Sequence, residues 1–190
     1  TRDSRSWNAN LARGDILLCA NEAQKCFYLG CLFSSGALNP INYESAERLI
    51  IAPFGLDADG FVDAGDQVNL ISGGNEVKLL WFGGIYPWFD IETLISAVAV
   101  LREKVLCSLT IVGARNPFNS HPDFLSVCER IESLIVSEKF SDFIFLEEWC
   151  PYEKRFDWYR SADFLVTLNK PGIENYFSWR TRVVDYLASQ

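Results

Sequence analysis

Methionine is absent from all 190 positions, the first included, where a threonine stands. The chain is therefore read as part of a longer polypeptide, through processing or through omission of its methionines. Histidine is almost absent too, with His121 as its one copy. Ser-His-Asp and Cys-His catalysis thus lack their base, and a zinc site lacks its usual ligands. His121 itself sits in the polar run Asn119-Ser120-His121-Pro122, which suits a surface residue. No GxSxG nucleophile elbow, GxGxxG dinucleotide fingerprint or Gly-Lys-Ser/Thr phosphate loop occurs. Glycine (12) and proline (7) are too few for collagen-like or low-complexity character. Apolar runs fall short of the roughly 20 residues of a membrane span, and no signal peptide pattern is visible. A cytoplasmic location is expected, with any membrane association peripheral and made through parts outside this sequence. Lys and Arg (17) are outnumbered by Asp and Glu (25), leaving a net charge of −8. That balance argues against a general binder of nucleic acid or anionic membrane. It leaves room for a local basic pocket holding one phosphate-bearing small molecule.

What is present is enough for a core. The chain is 49% hydrophobic and 14% aromatic, well outside the range of disordered sequences. Six cysteines, at 19, 26, 31, 107, 128 and 150, stand singly in apolar surroundings without a CxxC pair; they read as reduced, buried thiols. An amphipathic stretch ends at Gly14, and Asp15 to Cys19 reads as a short buried strand. Asn21 suits the cap of a helix running to about Ser35 and stopped by Gly36. Leu49 to Ala52 is another strand, ended by Pro53. Residues 56–76, rich in Gly and Asp, read as a linker or hinge.

From Val77 the pattern becomes regular. Strands are predicted at 77–82, 108–112, 143–146 and 164–168. Between them, Ile91, Leu94, Ile95, Val98 and Leu101 share one helical face, and Phe124, Cys128, Ile131 and Ile135 share another. Pro151 fits the start of a third helix carrying Phe156 and Tyr159, and a last helix carries Val183, Val184 and Leu187. Strands alternating with helices define an α/β fold, a Rossmann-like parallel sheet with helices on both faces. The crossovers should be right-handed, so all strand C-termini open on one edge, where ligands bind in such sheets. A doubly wound sheet of this kind is expected to continue with further strands.

The loops on that edge carry the candidate chemistry. Gly83-Gly84 lets backbone amides approach a phosphate, with a helix N-terminus behind them. Asp90 fits either the cap of that helix or a ligand contact. Trp88 and Phe89 fit either packing or a ligand wall, and Tyr86 beside them counts among the substrate-binding candidates. Arg115 offers a cation after the second strand, or is a solvated loop charge. Trp149 and Tyr152 give stacking surface for a nucleobase after the third. The fourth loop brings Lys170, Glu174, Arg180, Arg182 and Asp185, carboxylates for hydroxyls and arginines for phosphates; Arg182 and Asp185 also suit a helix-surface pair. A phospho-receiver domain is excluded because the first two strands end in glycine where clustered acids are needed.

These residues resemble a known family. Trp81 to Asp90, Ile111 to Ala114, Trp149 to Arg155 and Phe177 to Leu187 are similar, in this order, to bacterial glycosyltransferase family 4 members of GT-B architecture. Cys19 to Lys25 and Ala52 to Gly55 resemble the end of that family's N-terminal domain and its hinge. The resemblance implies residues 1–55 as the end of a second, acceptor-side Rossmann-like domain, 56–76 as hinge, and 77–190 as an incomplete nucleotide-sugar-binding domain. It implies a hexosyltransferase-type enzyme that transfers sugar with retention, without metal or other cofactor, the nucleotide-diphosphate-sugar being substrate. The acceptor, whether glycan, lipid or small molecule, is left open, and this part alone is expected to be inactive. The base is expected near Trp149 to Tyr152 and the diphosphate near Gly83-Gly84. Asp185 matches the ribose carboxylate, with Asp in place of Glu. Glu174 is the nearest match for the carboxylate on the donor sugar, farther from Asp185 than the family motif has it. Arg180, Arg182 or Arg115 supplies the positive charge, Glu174 and Arg180 being the catalytic pair. The alternative reading is a non-catalytic Rossmann-like ligand-binding or protein-interaction domain.

Overall fold

The computed structural model describes residues 2–55 and 76–189. The proposed linker, apart from Glu76, lies outside the described residues. Those residues form two compact units, 2–55 with Gly172–Thr181, and 76–171 with 182–189.

The first unit holds α1 (Arg2–Arg13), β1 (Leu17–Cys19), α2 (Glu22–Ser34), a 3-10 segment (Tyr43–Arg48) and β2 (Leu49–Ile51). The two strands pair in parallel, Leu17 opposite Leu49. Asn21 caps α2 as its sequence position predicts, its side chain accepting the Gln24 N–H at 2.8 Å. Gln24 in turn accepts the N–H of Ala20, the residue before the cap, at 2.8 Å, which holds the entrance to the helix in place. The first strand is less buried than expected. Its side chains alternate, Cys19 inward and Leu18 outward, because a strand with one covered face shows period two. A further helix, Ile173–Phe177, also belongs to this unit and lies in a stretch whose sequence reads as loop. It is only 5 residues long, too short for a periodic signal. Its Phe177 carbonyl accepts from Gln24 Nε2 at 2.7 Å, and the Phe177 ring lies 5.2 Å from Phe27.

The second unit is a parallel sheet in the order β5-β4-β3-β6. Its strands are β3 (Val77–Phe82), β4 (Cys107–Val112), β5 (Ile144–Glu147) and β6 (Phe164–Leu165). Its helices are α3 (Ile91–Arg102), α4 (Pro122–Ser137) and α5 (Arg155–Arg160); counting Ile173–Phe177 as α6, the last is α7 (Thr181–Ala188). Ile91, Leu94, Ile95 and Val98 of α3 and Phe124, Cys128, Ile131 and Ile135 of α4 are buried against Trp81, Leu109 and Ile111. On the opposite face Tyr159 of α5 and Tyr186 of α7 pack on Leu80 and Val112. Helices thus flank both faces, as the alternating pattern requires.

Several expectations are corrected. Leu101 and Leu187 are exposed, and Tyr186 carries the buried face of the last helix. Cys26 is exposed, although all six cysteines are free. The third helix opens as a 3-10 turn, Tyr152–Lys154. The fourth strand is shorter than 164–168. After Val166 N–H meets the Leu80 carbonyl at 2.8 Å, the chain leaves β3 and runs along the loop that follows it. There Asp90 N–H donates to Leu168 and Lys170 N–H to Trp88, at 3.1 and 3.0 Å, with Phe89 and Asn169 bridged antiparallel. Beyond Val166, Leu168 and Lys170 thus find their partners in a loop.

Candidate functional site

The strand order places a switch point beside β3: the chain moves outward from β3 through β4 to β5, then returns to β6 on the other side. Ligands of open α/β sheets bind outside the strand C-termini at such a point. Both central strands end there in glycine with positive φ, +101° at Gly83 and +74° at Gly113, a conformation that side chains resist. The two elbows abut. A methyl group added at Gly113 would lie 3.8 Å from Gly83 Cα and 3.3 Å from the Trp149 ring.

Arg182 closes the first elbow. Its guanidinium donates to the Gly84 carbonyl at 3.2 Å and lies over the rings of Trp81 and Phe89, 4.2 and 4.7 Å from their centroids. Trp81 in turn donates its Nε1–H to the Gly83 carbonyl at 2.9 Å. The expected amide cradle is partly occupied: Gly83 N–H donates to Val112 and Ile85 N–H to Ala114, at 2.8 and 3.3 Å. The N-terminus of α3 is likewise met by its own cap, since Asp90 accepts the Thr93 N–H at 3.4 Å. Asp90 thus makes the capping contact. The fixed guanidinium of Arg182 adds a positive charge at this edge.

The aromatic residues divide. Phe89 is buried, whereas Trp88 keeps 43% of its surface exposed and stacks on Tyr86 at 4.8 Å and 5°. Tyr86 accepts a hydrogen bond from Asn116 at 3.2 Å, which ties the loops after β3 and β4 together. Lys170 Nζ donates to the Pro87 carbonyl at 3.0 Å and braces the same loop. Trp149 keeps an exposed face beside Gly113.

The remaining charged candidates are paired. Arg115 forms a two-toothed bridge to Glu132 at 2.7 and 2.9 Å, and that bond raises its guanidinium pKa. The arginine is committed to the surface of α4. Glu174 and Arg180 belong to the first unit, where Arg180 donates to the Glu174 carboxylate and, at 2.7 Å, to Asn175 Oδ1. Arg182 and Asp185 each find a partner off the helix, and for Asp185 it is Arg155, with Nε 3.8 Å from Oδ2. His121 is a surface residue, as expected, and caps α4 by accepting the Asp123 N–H.

Burial pushes the Asp185 carboxyl above its usual 3.8, and Arg155 opposes the shift without cancelling it. The folded carboxyl holds its proton more tightly than the unfolded one. Its contribution favours folding fully below the usual value and is lost as pH rises through the folded value. A carboxyl-carbon NMR titration of the protein should therefore place Asp185 above its unfolded value. A midpoint at or below 3.8 would mean that the ion pair outweighs burial.

Arg155 is a site residue that sequence reasoning missed. A signal is present, since it stands four residues before the apolar Tyr159 and so shares its helical face.

A surface hollow of about 840 Å³ lies between α3 and α4 and is lined by Ser96, Arg130 and Ser133 among others. It is an open groove on the helical layer, away from the glycine elbows. No helix among the described residues is long and apolar enough to cross a membrane.

No known family profile and no curated protein matches the chain. Solved structures do. One is S. aureus TarM, in a mutant form in complex with Fondaparinux, alpha-GlcNAc-glycerol and UDP: TM-score 0.60 at 12% identity, over 100% of this chain and 31% of that one. Another is sucrose-phosphate synthase from Thermosynechococcus elongatus: TM-score 0.58 at 21% identity, over 90% of this chain and 40% of that one. The chain thus spans 31% and 40% of their lengths. Both neighbours are GT-B glycosyltransferases. The parallel sheets flanked by helices are the Rossmann-like fold of that architecture, and the fold is glycosyltransferase-like.

Proposed function

We propose that this chain carries the donor-binding part of a retaining glycosyltransferase of family 4 type, taking a nucleotide-diphosphate-sugar as substrate and acting in the cytoplasm. One observation carries the reading: Arg182 is fixed over the Gly83-Gly84 elbow, which abuts that of Gly113 at the switch point of the sheet. A diphosphate needs a cation with fork geometry and a close backbone approach, and this arrangement offers both. The nucleoside diphosphate leaves with its charge stabilised by a guanidinium already in position, so little reorganisation accompanies the reaction. Trp149 and Tyr152 receive the base, Asp185 the ribose, and Trp88 walls the ligand side. Residues 1–55 belong to the acceptor side. Hexosyl transfer is the expected reaction, with the acceptor a glycan, lipid or small molecule.

Calorimetric titration of the protein with UDP, GDP and ADP, and one sugar conjugate of each, is the direct test. Saturable binding of one nucleotide and its conjugate is expected. A folded protein that binds none of them overturns the reading and leaves the non-catalytic interaction domain in its place.

A further inference from the structure

Arg155 presents an unusual combination: a permanently charged side chain on a residue with 3% of its surface exposed. A charge withdrawn from water persists only where polar and charged groups replace the lost hydration. Tyr152 and Asp185 supply such groups here. Arg155 donates to the Tyr152 carbonyl at 3.0 Å, its guanidinium lies 3.6 Å from the centroid of the Tyr152 ring, and its Nε faces Asp185 at 3.8 Å. The Phe156 ring centroid lies 4.2 Å from the guanidinium carbon. Arginine suits this set, because its planar fork serves a carbonyl, a carboxylate and a ring face together.

The two segments that Arg155 joins are the ones assigned to nucleoside recognition. Tyr152 starts the 3-10 turn that follows β5 and leads into α5, and Asp185 belongs to α7. The helix is itself secured one residue further on, where the Tyr186 hydroxyl accepts the Phe82 N–H at 3.0 Å. The Asp185 side chain keeps 23% of its surface exposed, enough for a ligand hydroxyl to reach it, against 4% for the Arg155 side chain. A ligand therefore meets the carboxylate and not the guanidinium behind it.

We infer that Arg155 is a positioning residue, holding the Asp185 carboxylate and the Tyr152 loop in register so that ribose hydroxyls are recognised. This inference rests on the donor-site reading above. It assigns to a buried side chain the job of fixing how the protein tells a ribose from a sugar lacking those hydroxyls.

The test compares the nucleoside diphosphate that binds (UDP, GDP or ADP) with its 2′,3′-dideoxy form, using the wild-type protein, Arg155→Met and Arg155→Lys. A hydrogen bond to a charged group corresponds to a preference for the ribose form on the order of tenfold or more. Arg155→Met should bring that ratio close to one while inorganic pyrophosphate binds as before. Arg155→Lys keeps the charge but not the fork, and should give a ratio between the two; it also serves if the methionine variant fails to fold. Asp185→Asn should lower the ratio as Arg155→Met does, and the double variant should add little, as for residues acting through one contact. Equal weakening of both nucleotides, with the ratio kept, makes Arg155 a structural brace only and overturns the inference. An unchanged ratio does the same. Absence of binding by the wild-type protein to every nucleotide removes the donor-site reading itself, a separate and distinguishable failure.

Discussion

Truncation of Trp81 to alanine is expected to lower the unfolding free energy by about 3–5 kcal/mol. The side chain is wholly buried, at 0% exposure, on the sheet face covered by α3 and α4. It meets Phe89 edge-on at 4.9 Å, and its Nε1–H satisfies the Gly83 carbonyl. Alanine removes the indole volume, its edge-to-face contact and the donor to a strand-end carbonyl together. Against a typical total of about 5–15 kcal/mol, such a loss threatens the folded state. Urea denaturation followed by far-UV circular dichroism measures it. A loss under about 1 kcal/mol would place Trp81 outside the core, since surface substitutions fall in that range. Trp81→Phe separates the parts: the ring largely remains, the Gly83 carbonyl loses its partner, and a cost of about 1–3 kcal/mol is expected. The same ring seats Arg182, so this stability is tied to the shape of the candidate site.

The elements were most legible where local pattern and tertiary environment agree. In α3 the spacing of Ile91, Leu94, Ile95 and Val98 marks the face that packs on the sheet. In β3 and β4 the apolar runs end at glycines that the chain needs for its positive φ. Legibility failed where the partner is remote in sequence. Nothing near Val166 says that the chain will leave β3 and pair with the loop at Trp88 and Asp90. The site shows the same division. The glycine elbows and the aromatic loops are visible from residue type and position. Whether an arginine faces a ligand or a neighbour is not, because the deciding contact is long-range. Arg115 is drawn away by Glu132 on the next helix, while Arg182 is drawn in by Gly84, 98 positions earlier. Composition alone treats these two side chains alike.

Arg182 therefore carries the sharpest functional expectation. Its guanidinium is held by a carbonyl and two aromatic rings, and a fixed cation loses less entropy on meeting a diphosphate than a mobile one. Charge-assisted hydrogen bonds are stronger than neutral ones, by roughly a factor of two. Arg182→Ala should accordingly weaken nucleoside diphosphate binding by about 10- to 100-fold, while the parent nucleoside, which lacks phosphate, binds as before. Arg182→Lys keeps the charge without the planar fork or the full ring contact, and should fall between wild type and alanine. Raising salt should narrow the gap between wild type and alanine, since screening weakens the phosphate contact. The alanine variant also loses its cation–π contacts, worth about 0.5–2 kcal/mol, so its folding has to be checked alongside. If nucleotide affinity is unchanged in a folded Arg182→Ala protein, the arginine is a brace for the glycine elbow and the diphosphate must be sought elsewhere. If diphosphate and nucleoside weaken together, the variant has disturbed the whole edge. A selective loss of the phosphate-bearing ligand is the result that assigns the guanidinium its role, because only a direct charge contact discriminates between the two.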